Sequence, residues 1–192
     1  MTTAIAHPNI ALVKYWGKQN KVLNHPASPS LSITLDSLIT KTKVSASTET
    51  RLLLNGKRNE DLKVAKFLDL FREKFELPPV SVETDNNFPT GAGLASSASG
   101  FAALVTALNE NFQLGLSLST LSEWARRGSA SAARSIFGGF VTLQGPNGKA
   151  DQLAKELHWD LEICIVVINE GPKKISSTTG MKTSEATSPF YL

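Results

Sequence analysis

The residues best suited to chemistry lie in one stretch. It reads Asn86-Asn87-Phe88-Pro89-Thr90-Gly91-Ala92-Gly93-Leu94-Ala95-Ser96-Ser97-Ala98-Ser99-Gly100. Small side chains let a backbone approach a ligand closely. Where such a turn opens a helix, free N–H groups and the positive end of the dipole attract an anion. Gly93, with the hydroxyls of Ser96, Ser97 and Ser99, completes a set suited to phosphate oxygens. The bland alternative is a tight turn with serine caps. Gly-Lys-Ser/Thr is missing, so this is not a Walker A loop. The third glycine and the regular βαβ setting of a dinucleotide fingerprint are missing too.

Three further clusters share this chemistry. Gly128-Ser129-Ala130-Ser131-Ala132-Ala133-Arg134-Ser135 sets an arginine among small residues, where a carboxylate or phosphate could reach its planar fork. Lys14-Tyr15-Trp16-Gly17-Lys18 places two cations around an aromatic pair. Lys173-Lys174-Ile175-Ser176-Ser177 puts lysines before hydroxyls at the expected start of a helix. Taken singly, these clusters could be packing or solvated surface. Together they point to a site for two polyanions, one of them a nucleotide.

These residues need a scaffold, and the sequence supplies one. Apolar alternation predicts strands over Ala4–Tyr15 (broken at His7-Pro8-Asn9), Leu31–Ile39, Thr40–Ser47, Thr50–Leu54, Val80–Thr84, Phe140–Leu143 and a central Leu161–Ile168. Gly17–Ser30 reads as a loop, and Asn55-Gly56 and Gly145-Pro146-Asn147-Gly148 as turns. Val64, Phe67, Leu68, Phe71 and Phe75 recur at helical spacing up to Pro78-Pro79. A second helix follows the glycine-rich turn. A third runs over Leu118–Arg127, with Ser119 or Thr120 as N-cap and Glu123 in a capping box. Strands lead, and helices follow without regular alternation. The class is α+β, a mixed sheet with helices on one face.

Composition narrows the function classes. The chain has 192 residues, 41% hydrophobic and 19% charged, which is globular composition. Its net charge of +3 is carried without a basic stripe, so a nucleic-acid partner is not expected. No apolar run approaches the roughly 20 residues that span a bilayer, nor is there a secretory signal pattern, and the expected compartment is the cytoplasm. One cysteine, Cys164, and three scattered histidines exclude a disulfide framework and a Cys/His metal site.

The motifs resemble a known family. Asn9-Ile10-Ala11-Leu12-Val13-Lys14-Tyr15-Trp16-Gly17-Lys18, Ser30-Leu31-Ser32-Ile33-Thr34-Leu35, the Asn86–Gly100 loop, Gly128–Gly139 and Ser176–Met181 are similar, in order, to the diphosphomevalonate decarboxylases of the GHMP kinase superfamily. The resemblance implies a GHMP-kinase-type N-terminal domain, a two-layer mixed sheet with helices on one face. It implies ATP-dependent decarboxylation of (R)-5-diphosphomevalonate to isopentenyl diphosphate, with Mg²⁺ accompanying ATP. By the same resemblance, Tyr15, Lys18 and Ser177 bind the substrate diphosphate. Ser129, Ser131 and Arg134 fix the mevalonyl end, with Arg134 on the carboxylate. Arg134 and Lys18 are the catalytic assignments. Gly93, Ser96, Ser97 and Ser99 hold the ATP phosphates. The implied parent enzyme is a homodimer.

One part of the pattern is missing. The family's late Thr-x-Asp-Ala-Gly-Pro-Asn aspartate has no match among Asp36, Asp61, Asp69, Asp85, Asp151 and Asp160. The expectation is therefore an N-terminal part of a longer enzyme. Residues 1–180 would form the ATP- and substrate-binding domain, 181–192 would begin a second domain, and the chain alone would be inactive. Two alternatives stand beside the decarboxylase. One is a phosphomevalonate decarboxylase or mevalonate 3-kinase, and the other is a non-catalytic nucleotide-binding module.

Overall fold

The computed structural model describes residues 1–20, 22–145, 148–166 and 175–189. The class is α+β as expected, but the strands divide between sheets instead of forming one layer. The larger sheet contains β1 (Thr2–Ala6), β6 (Thr40–Ala46), β9 (Val80–Asn86), β7 (Arg51–Leu54) and β8 (Lys57–Arg58), in that spatial order. Its pairings are antiparallel except β7 with β9, which run parallel because α1 (Leu62–Phe75) carries the chain from one end to the other. The second sheet has the antiparallel order β11 (Ala150–Ala154), β10 (Phe140–Leu143), β5 (Ser30–Thr34), β2 (Asn9–Val13). The break at His7-Pro8 passes the chain from the first sheet to the second.

The core forms where α1, α2 (Ser96–Asn111) and α3 (Leu118–Gly128) meet the larger sheet. Phe67 and Phe71 of α1 and Trp124 of α3 meet in edge and tilted ring contacts, with Phe71 and Trp124 4.9 Å apart. The alanines of α2 (Ala98, Ala102, Ala103 and Ala107) are fully buried, so the backbone of α2 lies close to its neighbours. This holds the start of α2, and the serines there, at a fixed height over the sheet.

Several local expectations change. The loop over Gly17–Ser30 contains a small hairpin, β3 (Lys18–Asn20) with β4 (His25–Pro26). The polar strand β11 has no apolar alternation to announce it. Ser117 caps α3, its hydroxyl accepting from Thr120 N at 3.2 Å. Ser119 and Thr120 lie inside the first turn, and Glu123 is too far along for a capping box. The apolar run 161–166 forms no strand, and Leu161, Ile163 and Ile165 are each more than a third exposed. High apolar content marks a strand only where a neighbouring strand accepts it, and neither sheet pairs with this run. Residues 167 and 168 of the expected strand lie outside the described residues, as do Pro146 and Asn147 of the expected turn. The helix α4 (Ser177–Thr187), capped by Ser176, runs through position 180.

The end of α1 is set by Glu76, ahead of Pro78-Pro79. Glu76 takes left-handed geometry (φ 53°), and its N–H reaches Arg72 O. A side chain at that geometry is strained, and the position is exposed. Glu76→Gly should therefore stabilise the fold by about 0.5–1 kcal/mol, read as a higher midpoint in urea.

Candidate functional site

The site is built around a buried arginine. The 3-10 helix Ala130–Ile136, which follows α3, turns Arg134 inward to 2% exposure. Its Nε donates to Ser32 Oγ at 2.8 Å, Nη1 to Ser30 Oγ at 2.5 Å and Nη2 to Asn9 Oδ1 at 3.1 Å. Ser30 and Ser32 face one side of β5 because strand side chains alternate. Asn9 opens β2 and is itself held, its amide donating to Ser135 Oγ at 2.8 Å and Ser131 O at 3.0 Å. All three acceptors are neutral. Burial pulls the Arg134 pKa down to about 10, against a smaller upward pull from Tyr15. Among the described residues no carboxylate pairs with this cation. A desolvated guanidinium with spare N–H donors and no counter-charge is prepared for an anion from outside.

Tyr15 is buried next to this group, packed with Ala130, Ala133 and Met181 of α4. Burial pushes its phenol up, and the Arg134 charge opposes that. Trp16 lies against Gly180 of α4, its ring 3.6 Å from the space a Cβ would fill. The Tyr-Trp pair thus packs against α4.

The glycine-rich loop joins this arrangement through hydroxyls. Ser97 Oγ lies 3.4 Å from Ser129 Oγ, and Ser129 Oγ 3.3 Å from Ser131 Oγ. A chain of serines therefore runs from the start of α2 to the Arg134 segment. The N-cap of α2 is Ala95, in left-handed geometry (φ 55°) and without a side-chain cap. Ala98 N–H is taken by Ala95 O at 2.7 Å, which leaves the N–H groups of Ser96 and Ser97 at the start of this 16-residue helix for an external acceptor. Ser96 Oγ accepts from Gly91 N at 3.3 Å and holds the loop closed over Gly93. A cavity of about 170 Å³ opens beside these groups, lined by Leu54, Asp61, Asn86, Thr90, Ser96 and Phe101 among others.

Ser99 does not share this position. It is fully buried, its Oγ 2.6 Å from Thr40 Oγ1 and donating to Ser96 O at 3.4 Å. One turn into the helix, it faces Thr40 of β6. Its hydroxyl anchors α2 to β6, so a contact with nucleotide phosphates would require this hydrogen bond to open.

Lys18 approaches from the hairpin. Its Nζ donates to Asn24 Oδ1 at 2.7 Å, and burial lowers its pKa. Ser177 occupies the first turn of α4. The Lys173-Lys174 pair lies outside the described residues. Among the described residues no group of three or more His, Cys, Asp or Glu side chains could hold a metal ion, and no helix is long and apolar enough to cross a membrane.

Three polar residues of the site went unread in the sequence. Asn9 and Asn24 act through partners far along the chain. Lys63 had a visible signal: a lysine in the first turn of a helix opposes the dipole. The residue is exposed as a whole, but its ammonium sits 5.2 Å from the centre of the Phe101 ring. Burial on that side, and then the charge of Lys18, lower its pKa. The charge of Asp61, which lines the cavity, pulls the other way, so Lys63 stands between a carboxylate and a second cation.

An α+β domain with an uncapped, serine-lined helix start, joined by hydroxyls to an arginine pocket, has the fold of the GHMP-kinase-type N-terminal domain. Residues 6–154 match the family model of the diphosphomevalonate decarboxylase-like N-terminal domain. The diphosphomevalonate decarboxylase of Debaryomyces hansenii is 41% identical over 99% of this chain and 56% of its own length. That of Bos taurus is 43% identical over 98% of this chain and 54% of its own. The solved structure of MDDEF in complex with MVAPP, AMPPCP and magnesium is similar at TM-score 0.83 and 40% identity, covering 99% of this chain and 62% of that one. Mevalonate diphosphate decarboxylase from Staphylococcus aureus matches at TM-score 0.83 and 38% identity, covering 99% and 61%. The chain belongs to the diphosphomevalonate decarboxylase-like family. It spans a little over half the length of the curated relatives it matches.

Proposed function

We propose that the protein takes part in ATP-dependent decarboxylation of (R)-5-diphosphomevalonate to isopentenyl diphosphate, carbon dioxide, ADP and phosphate. The carrying observation is Arg134: a buried cation with no carboxylate partner among the described residues, linked by Ser131, Ser129 and Ser97 to an uncapped helix start. Substrate carboxylate on Arg134 would supply the missing charge and fix the C–C bond that breaks. Ser129 and Ser131 would orient the mevalonyl oxygens. Ser96, Ser97, Gly93 and the first N–H groups of α2 would hold the ATP phosphates, with the base in the adjoining cavity. Tyr15, Lys18 and Ser177 would take the diphosphate, and Lys63 faces the charge between the two ligands. Both ligands are polyanions, so fixed donors and cations must bring them into contact. Mg²⁺ enters on the nucleotide phosphates, in keeping with the magnesium and AMPPCP of the related complex. The reading extends to residues 1–180 as the ligand-binding domain, a homodimeric parent enzyme and a cytoplasmic location.

The test uses carboxyl-labelled diphosphomevalonate and ATP, with carbon dioxide and phosphorylated products measured separately. Formation of both carbon dioxide and ADP is expected from the full-length protein. Phosphoryl transfer without carbon dioxide would reassign it as a 3-kinase. ATP binding with no affinity for diphosphomevalonate would reduce it to a nucleotide-binding module.

A further inference from the structure

We propose that Asn24 is a positioning residue for Lys18, a neutral bracket that aims the ammonium at the bound anion without using up its charge. The inference rests on Lys18 as part of the diphosphate site. Asn24 is 7% exposed and lies between two partners. Lys18 Nζ donates to its Oδ1 at 2.7 Å, and its Nδ2 donates to Arg127 O at 2.7 Å. An ammonium only donates and a backbone carbonyl only accepts, so one orientation of the amide serves both. Arg127 O is among the last carbonyls of α3, which have no partner within the helix. The helix end therefore fixes the amide, and the amide fixes the lysine.

The surrounding chain is arranged to keep this bracket in place. Asn24 has left-handed geometry (φ 53°), which asparagine tolerates better than most residues. The preceding carbonyl, Leu23 O, accepts from Nη1 of the buried Arg126 at 2.5 Å. The hairpin carrying Lys18 is thus docked at two successive residues on the end of α3, just before Ser129. The acceptor chosen is an amide and not a carboxylate. A carboxylate would bind Lys18 more strongly but neutralise it. The amide occupies one of three ammonium hydrogens and leaves the full charge, with two donors, for the ligand. Lys63 feels the charge of Lys18, so that charge is not cancelled where it stands.

Inorganic pyrophosphate is the probe, and titration calorimetry the measurement. Asn24→Gly suits the backbone and removes only the bracket, and should weaken pyrophosphate binding about tenfold. Asn24→Asp keeps a hydrogen bond to Lys18 and should weaken binding at least as much, because the charge is cancelled. In a Lys18→Met background, Asn24→Gly should add nothing further, since its effect passes through the lysine. If the Asn24→Gly loss persists in full without Lys18, or if Asn24→Asp binds like the wild type, the role is merely structural and the inference fails. A second readout needs no ligand. The Lys18 ammonium should give a slowly exchanging ¹⁵N–¹H signal, absent in Lys18→Met, that Asn24→Gly abolishes. A wild-type protein that fails to bind pyrophosphate but shows this behaviour would refute the diphosphate reading and leave the bracket standing. Absence of the signal from the wild type, or its survival in Asn24→Gly, would overturn the bracket itself.

Discussion

Arg134→Gln should weaken diphosphomevalonate binding about a hundredfold to a thousandfold while leaving the fold largely intact, the loss expected when a buried charge loses its ionic partner. The two effects separate because of how the arginine is held. Its hydrogen bonds to Ser30, Ser32 and Asn9 are to neutral groups, and among the described residues its charge has no carboxylate partner. Removing the charge relieves a desolvation penalty that the folded chain carries alone. Glutamine can still satisfy one or two of the three acceptors, and the serine hydroxyls can turn to one another. The stability change should therefore be small, within about 2 kcal/mol, as the two contributions oppose each other. Calorimetric titration and thermal denaturation on the same preparations check both halves. Binding retained within tenfold would remove Arg134 from the carboxylate site. A collapse of the fold would show that the charge is structural.

Lysine at the same position adds a pH signature. The arginine, even lowered to about 10, stays charged through the neutral range, so binding by the wild type should show no fall between pH 7 and 9 from this group. An ammonium starts lower, near 10.4, and the same burial would bring it toward neutrality. The charged form is the one that binds carboxylate. Affinity of Arg134→Lys should therefore fall as pH rises through that lowered value. At pH 6 it should stand closest to the wild type, short only of the bidentate geometry a lysine cannot offer. A variant whose affinity ratio to wild type is constant from pH 6 to 9 would contradict this account.

How far the sequence revealed this site depended on the distance between partners. Helices α1 and α2 were legible because their apolar residues repeat every three to four positions. The glycine- and serine-rich loop stands out in the sequence because small residues and hydroxyls cluster within fifteen positions. The arginine pocket was only half visible. Arg134 stood out among alanines and serines, but its acceptors lie 125 residues away at Asn9 and 102 and 104 away at Ser32 and Ser30. Asn24 meets Arg127 across 103 residues. Such pairs are fixed by how β2, β5 and the hairpin fold around α3, and no local pattern encodes them. Ser99 is the reverse case. Its type and spacing suit a phosphate ligand, yet helical rotation turns it toward Thr40. The run 161–166 shows that apolarity specifies a strand only with a neighbour to pair with.

Gly139→Ala should destabilise the protein by about 3–5 kcal/mol, the sum of backbone strain and overpacking. Gly139 has a φ of 70°, and a Cβ there would sit 2.4 Å from Ala154 O and 2.8 Å from Glu156 N. Those neighbours are backbone at the end of β11, so no rotamer change relieves the clash. Nor can the chain retreat in the other direction. Gly139 O accepts from Thr34 N at 3.0 Å, and the adjacent Phe140 pairs with Ile33 of β5 and Ala154 of β11. The displacement must pass into β5, whose Ser30 and Ser32 hold Arg134. Ligand affinity should fall together with stability, unlike in Arg134→Gln, where affinity falls alone. Gly138→Ala is the control: a Cβ there meets nothing within 4 Å, and it should change the urea midpoint little. If both alanine variants unfold at the wild-type midpoint, β11 does not lie against Gly139 as described. If Gly139→Ala loses stability but keeps full affinity, β5 does not transmit the strain to the arginine pocket.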